Sequence, residues 1–113
     1  MNKREIGSGY EEMAAAYLVE QGYTILERNF RDRFGEIDII AAEGSTLVFV
    51  EVKYRRGGEC GDPAEAVTAE KQRRIRRTAQ YYLYKKGDGG EHFCRFDVVA
   101  ILGDEIRLIR DAF

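Results

Sequence analysis

The chain has 113 residues, 44% hydrophobic and 34% charged, which is typical of a folded globular domain rather than of a disordered or membrane protein. Its net charge of -2 argues against a protein that coats nucleic acid, although the segment KQRRIRR at residues 71–77 is strongly basic. No apolar run approaches the roughly 20 residues of a membrane-spanning helix, and no apolar signal-peptide segment is evident. We therefore expect one cytoplasmic domain, residues 1–113, that does not contact membranes.

Apolar residues at helical spacing predict a first helix that ends near Gly22. A strand over residues 23–30 follows, although Glu27, Arg28 and Asn29 interrupt its apolar pattern. The positions expected to face inward from the helix are Tyr10, Met13, Ala14, Tyr17, Leu18 and Gln21.

Residues 37–42 and 47–54 are rich in Ile, Val and Phe and predict two strands joined by a turn. A turn centred between residues 44 and 45 places Asp38 opposite Glu51 and Glu36 opposite Lys53. Because side chains alternate along a strand, Glu51 and Lys53 share a face, and a directly opposed residue points to that face too. The sequence therefore predicts that Asp38, Glu51 and Lys53 converge.

Two acids placed directly opposite each other repel and need a compensating charge. In a structural interpretation, Lys53 and Glu36 neutralise them as a cross-strand ion network near a strand end. In a functional interpretation, the compensating charge is a divalent cation held by Asp38 and Glu51, since Mg²⁺ is usually bound through one or two carboxylates together with water and substrate phosphate. The residues alone leave both interpretations open.

A second helix is predicted to begin at Asp62 and Pro63, or at Thr68 as a second candidate N-cap. Its inward stripe contains one charged misfit, Lys71. The chain then closes with predicted strands over residues 93–102 and 105–109. The expected inward positions of the helix are Ala64, Val67, Lys71, Ile75, Thr78, Ala79, Tyr82 and Leu83.

The order of these elements predicts a small α/β fold. A helix between the strand at residues 47–54 and the strand at residues 93–102 implies a crossover, so those strands are expected to be parallel neighbours. A single histidine, His92, and two cysteines, Cys60 and Cys94, leave too few ligands for a closed zinc site. Any chemistry therefore has to rest on carboxylates and lysines, with or without a bound cation.

The segments GEIDII and FVEVKYR resemble the PD-(D/E)xK nuclease signature, in which an Asp on one strand and a Glu-x-Lys on the next form the site. The chain from Gly9 to Phe113 also resembles the YraN-like family of bacterial proteins, which look like relatives of archaeal Holliday junction resolvases. The other segments that carry this resemblance are GYEEMAAAYL, GYTILERNFR, AEAVTAEKQRRI and RFDVVAI.

The resemblance implies a restriction-endonuclease-like αβββαβ core with a mixed sheet flanked by helices. It also implies that Asp38, Glu51 and Lys53 are catalytic, and that Asp38 and Glu51 bind Mg²⁺ or Mn²⁺. Glu12 in the first helix corresponds to the additional acid of resolvase-like members, both catalytic and a metal ligand. A first-turn Glu that interacts with the helix dipole is the structural alternative for Glu12.

The implied activity is metal-dependent hydrolysis of nucleic-acid phosphodiesters, with DNA favoured over RNA. Phosphate contacts carry no base sequence, so we expect a substrate recognised by its structure, such as a junction, flap or branch. Asp97, beside Arg95, is expected to form a structural ion pair. The residues expected to bind the nucleic-acid backbone are Arg55, Arg56, Lys71, Arg73, Arg74, Arg76 and Arg77.

Two further expectations concern partners. Cutting a junction requires two symmetric incisions, which a homodimer supplies by placing one site on each strand. The alternative to an enzyme is a nucleic-acid-binding or partner-binding module that keeps this fold without turnover.

Overall fold

A computed structural model describes residues 3–55, 67–86 and 93–113, with side chains described from residue 9 onward. The predicted helix start at Asp62 and Pro63, the inward position Ala64, and also Arg56, Cys60 and His92 lie outside these residues. The elements in chain order are α1 (Lys3–Glu20), β1 (Thr24–Arg31), β2 (Glu36–Glu43), β3 (Thr46–Arg55), α2 (Ala69–Lys86), β4 (Phe93–Leu102) and β5 (Glu105–Ile109).

The strands form one sheet in the order β1-β2-β3-β4-β5. All neighbours are antiparallel except β3 and β4, which are parallel, so the crossover prediction is confirmed. This mixed sheet with its two helices is an α/β fold compatible with the predicted αβββαβ core. In the part of the chain that the structure describes, neither helix is long and apolar enough to cross a membrane.

Each face of the sheet is covered by one helix. Since side chains alternate along β3, Val48 and Val50 pack under α1, whereas Leu47 and Phe49 pack under α2. Continuing the alternation places Glu51 and Lys53 on the α2 face at the end of the strand. The candidate site therefore lies where the apolar layer beneath α2 ends.

The orientation of α1 differs from the prediction. Its buried residues are Ala14, Ala15 and Leu18, whereas Met13, predicted to face inward, is 41% exposed. Small alanines let the helix backbone approach the sheet closely, so the buried face follows them instead of the larger Met13 side chain. The predicted C-terminus at Gly22 is confirmed: Gly22 adopts φ 96°, and the next amide, from Tyr23, donates to the Leu18 carbonyl at 2.9 Å.

The start of α2 and the course of β1 explain two irregular sequence patterns. The described helix begins at Ala69, and Thr68 is its cap, because the Lys71 amide donates to Thr68 Oγ1 at 3.1 Å. In β1 the pairing register shifts between Ile25 and Glu27, and Asn29 has a positive φ of 54°. These irregularities account for the interrupted apolar pattern of that strand.

Candidate active site on the β2–β3 hairpin

The hairpin has the predicted register. Its Cα pairs run from Glu43 opposite Thr46 to Ile39 opposite Val50, and the regular pairing ends one position before Asp38 would meet Glu51. There the Val52 amide donates to Asp38 Oδ2 at 2.8 Å. The carboxylate of Asp38 therefore takes a main-chain donor of β3 at the point where the two strands cease to pair.

Glu51 is the buried acid of the site, only 5% exposed. Its Oε1 atom lies 2.6 Å from Lys71 Nζ on α2 and 3.6 Å from Lys53 Nζ on its own strand. The charged misfit in the inward stripe of α2 is thus explained, because Lys71 faces the buried carboxylate. The predicted pairing of Glu36 with Lys53 is not the arrangement found, since Glu36 Oε1 pairs with Arg31 Nε at 3.3 Å.

The pKa of Asp38 is raised to about 7, first by burial and then by the negative charge of Glu51, against the lowering effect of the Val52 amide. Glu11 and Glu36 add smaller contributions in the same direction. Within the described residues, the Val52 amide is the one hydrogen-bond donor to this carboxylate. The ionised form of Asp38 is therefore disfavoured by its burial and by the acids around it.

The pKa values of the two lysines shift in opposite directions. Burial lowers the pKa of Lys53, and the neighbouring Lys71 lowers it further, although Glu51 acts the other way. Burial also lowers the pKa of Lys71, but the hydrogen bond and charge of Glu51, together with Lys53 and Asp38, outweigh this and leave that pKa raised. Lys71 is therefore the principal counter-charge of Glu51, and Lys53 is the lysine closer to losing its proton.

Of the two adjacent acids of α1, Glu11 is the one whose charge acts on Asp38, whereas Glu12 is the one predicted from the resemblance. Glu12 is 68% exposed and pairs with Arg28, on the side of the helix away from the buried alanines. Glu11 is half-buried, and its charge raises the pKa of Asp38. With the Asn29 amide oriented to satisfy its hydrogen bonds, its nitrogen donates to Glu11 Oε2 at 3.0 Å and to Glu36 Oε1 at 3.1 Å.

A cavity of about 390 Å³ opens over the acid pair. Asp38 and Glu51 line its floor, and Lys71, Arg74 and Glu70 of α2 line its wall. Among the residues described, no three His, Cys, Asp or Glu side chains are grouped so as to hold a metal ion by themselves. Two carboxylates would therefore have to be completed by water or substrate oxygen.

The predicted phosphate-binding cations do not share one surface. Arg73, Arg74 and Arg77 line a common exposed groove on α2. Arg76 instead stacks over the ring of Phe96, with its guanidinium carbon 4.7 Å from the ring centroid. Arg55 is half-buried at the end of β3, and Arg56 lies beyond the described range.

A second buried aspartate has a complete set of partners. Asp97 on β4 is fully buried and accepts hydrogen bonds from Tyr23 Oη at 2.7 Å and from the Asp111 amide at 2.9 Å. Arg95 donates to it through Nε at 2.9 Å and Nη2 at 3.0 Å, and Nη2 also bonds Glu43 at 2.8 Å. The predicted structural pair of Arg95 and Asp97 is confirmed.

The model of Uncharacterised protein family UPF0102 matches residues 10–101. The chain belongs to this family. UPF0102 is the YraN family, so the resemblance found in the sequence motifs is confirmed.

Three relatives show how far the similarity extends. A UPF0102 protein of Lachnoclostridium phytofermentans is 58% identical over 113 residues, covering 100% of this chain and 96% of the relative. One from Caldicellulosiruptor saccharolyticus is 47% identical over 119 residues, with 100% of both chains covered. One from Rhodococcus jostii is 53% identical over 115 residues, covering 96% of this chain and 95% of the relative. The acid pair therefore lies inside a domain shared at nearly full length.

Proposed function

We propose that this UPF0102 member is a cytoplasmic, metal-dependent endonuclease that hydrolyses nucleic-acid phosphodiesters, with branched or junction DNA as the favoured substrate. The observation that carries the proposal is the environment of Asp38. Its carboxylate lies beside a buried Glu51, has a single described donor and has a raised pKa. A carboxylate whose ionised form is disfavoured by burial and by a neighbouring acid is suited to bind a cation.

The donor chemistry fits a hard divalent cation. Asp38 and Glu51 would hold Mg²⁺ or Mn²⁺, and water with substrate oxygen would complete the shell, which is how Mg²⁺ is commonly bound. When bound, such an ion supplies Lewis-acid chemistry, making water a better nucleophile and neutralising charge on the phosphoryl oxygens. Glu11 is the α1 acid that we propose supports the pair, in place of Glu12.

The lysines and arginines supply positioning and positive charge. Lys53 lies on the same strand face as Glu51, where it would orient the attacking water or stabilise negative charge that develops in the transition state. Arg73, Arg74 and Arg77 would contact backbone phosphates along the exposed side of α2. A homodimer would bring two such sites to opposite strands of a junction.

One observation favours a second candidate function, a binding module without turnover. Glu51 already has Lys71 and Lys53 as partners, so part of the acidic charge is neutralised without any metal. In that case, the basic side of α2 would bind nucleic acid, and the acid pair would be structural.

Cleavage assays separate the two functions. The purified protein is incubated with plasmid, single-stranded DNA and a synthetic four-way junction, each with Mg²⁺, Mn²⁺ or EDTA. We expect cleavage with metal, none in EDTA, and a loss of at least about 100-fold in rate for Asp38→Asn. Metal-independent binding without cleavage of any substrate would contradict the nuclease proposal and support the binding module.

The two adjacent acids of α1 form a matched pair for a second test. Glu11→Gln should lower the cleavage rate by about tenfold, because it removes an acid that acts on Asp38. Glu12→Gln changes the same charge one residue away, on the exposed side, and should leave the rate close to wild type. A larger loss of cleavage rate with Glu12→Gln than with Glu11→Gln would show that Glu12, the residue predicted from the sequence, is the supporting acid.

A further inference from the structure

A polar and aromatic stripe runs along α2 from the acid pair towards the end of the helix. Its residues, Lys71, Arg74, Thr78, Tyr81 and Lys85, follow one another at spacings of three and four, so they lie on one side of the helix. Lys71 and Arg74 line the cavity over Asp38 and Glu51, whereas Tyr81 and Lys85 line a second cavity.

The loop between β1 and β2 separates the two cavities. Thr78, midway along the stripe, is fully buried beneath it, and Thr78 Oγ1 donates to Asp32 Oδ1 at 2.9 Å. The same oxygen accepts the amides of Phe34 at 2.9 Å and Gly35 at 3.0 Å. The Thr78 bond fixes the loop on the helix and the two amide bonds hold the loop's own shape, so the second cavity is a formed feature of the surface.

The second cavity has the composition of a nucleotide-binding surface. Its volume is about 360 Å³, and its cations are Arg31, Arg33 and Lys85. Two rings, Phe34 and Tyr81, complete the lining together with Asp32, and Tyr81 is 40% exposed. Aromatic rings combined with cations are what proteins use to stack unpaired bases and contact their phosphates.

Planar cations extend this stacking surface. The guanidinium carbon of Arg33 lies 4.9 Å from the Phe34 ring centroid, and that of Arg77 lies 5.5 Å from it. Guanidinium planes stack on bases as aromatic rings do. The surface around Phe34 and Tyr81 therefore offers several flat groups with positive charge close by.

We propose that this second cavity binds an unpaired nucleotide of a single-stranded segment that continues from the strand held at the acid pair. The proposal rests on the proposed nuclease function and specifies its substrate class: DNA in which a duplex opens into a single strand beside the cleaved bond. Lys71 and Tyr81 are ten residues apart on α2, a rise of about 15 Å, so one strand a few nucleotides long can reach both cavities. The bases of an uninterrupted duplex are stacked on each other and cannot enter.

Binding measured in EDTA tests the cavity without cleavage. Fluorescently labelled single-stranded DNA, a forked duplex and a blunt duplex are titrated with wild type and with Tyr81→Leu, which keeps apolar volume beside Phe30. We expect Tyr81→Leu to bind the single strand and the fork about tenfold more weakly, with little change on the blunt duplex. Tyr81→Phe should restore the affinity, because the phenyl ring retains the stacking face.

Two controls make the result specific. Tyr84 lies on the same helix, is 84% exposed and does not line the cavity, so Tyr84→Leu should bind like wild type. Arg33→Gln, in the loop, provides a second variant that leaves helix packing untouched and should also weaken single-strand binding. Its matched control is Arg107→Gln on β5, which is exposed at the opposite edge of the sheet.

The outcomes separate this proposal from the nuclease function. Unchanged single-strand binding by both Tyr81→Leu and Arg33→Gln, or an equal loss with Tyr84→Leu, would overturn the assignment of the cavity. A wild-type protein that binds forks through Tyr81 but cuts nothing with either metal would refute the nuclease and leave the nucleotide site standing.

Discussion

Asp97 is fully buried and Asp38 is partly buried in the same sheet, and their surroundings are opposite. Asp97 receives donors from Tyr23, Arg95 and the Asp111 amide, whereas Asp38 receives one described amide donor and lies near other acids. A buried charge is stable only when it is paired and hydrogen-bonded. The fold therefore surrounds Asp97 with donors, whereas burial and neighbouring acids disfavour the ionised form of Asp38.

The largest expected difference is in stability without metal. Asp97→Asn should lower the free energy of unfolding by about 3 kcal/mol, because it leaves the Arg95 guanidinium without its buried partner. Asp38→Asn should leave it unchanged or raise it, since it removes repulsion from Glu51. Urea unfolding in EDTA at pH 8 measures both. A clear loss of stability for Asp38→Asn would mean that the acid pair is a structural ion network.

Divalent metal should affect the thermal stability of the Asp38 and Asp97 variants differently. A ligand that binds only the native state at 100 times its Kd stabilises it by about 2.7 kcal/mol, so saturating Mn²⁺ should raise the Tm of wild type. Asp97→Asn should retain this rise, because its site is remote from the acid pair, and Asp38→Asn should lose most of it. Equal shifts in wild type and Asp38→Asn would contradict metal binding at Asp38.

The pH dependence gives the smallest of the three effects. The folded pKa of Asp38, about 7, lies above its usual value of 3.8, so the native state keeps a proton that the unfolded chain has lost. Metal-free stability should therefore fall by about 1–2 kcal/mol as pH rises from 5 to 8. Asp38→Asn should show a flatter profile over this range, measured by urea unfolding in EDTA. A wild-type stability that rises across this range would contradict the raised pKa.

The hairpin shows what could be predicted from sequence. The alternation of side chains and the position of the turn at Gly44 were enough to assign the register that brings Asp38 towards Glu51. The helix between β3 and β4 was enough to predict that these strands are parallel. Both inferences depend on local rules of chain geometry, which a single sequence contains.

The acid on α1 shows what could not be predicted. Glu11 and Glu12 are adjacent, so choosing between them requires the rotation of the helix. The family resemblance points to Glu12, whereas in the structure it is the charge of Glu11 that acts on Asp38. The better signal was the small Ala14 and Ala15, which with Leu18 and Glu11 follow helical spacing.

Contacts between residues far apart in the chain also cannot be predicted from the sequence alone. Lys71 was recognised as a misfit in the inward stripe of α2, but its partner Glu51 is twenty residues earlier on another element. The second cavity depends on the hydrogen bond by which Asp32 holds the β1–β2 loop against Thr78 of α2. Such contacts are set by the packing of whole elements, and no local pattern specifies them.

Tyr23 joins two features that were described separately, the end of α1 and the partners of Asp97. The Tyr23 amide closes the last turn of α1 by donating to the Leu18 carbonyl, and the Tyr23 hydroxyl donates to Asp97. Asp97 also accepts a hydrogen bond from the Asp111 amide, which lies in the C-terminal turn. Fraying of the helix end would pull this hydroxyl out of the interior. Amide hydrogens at the end of α1 and along β4 should therefore exchange with solvent as one cooperative unit, tying the N-terminal helix to the far end of the chain.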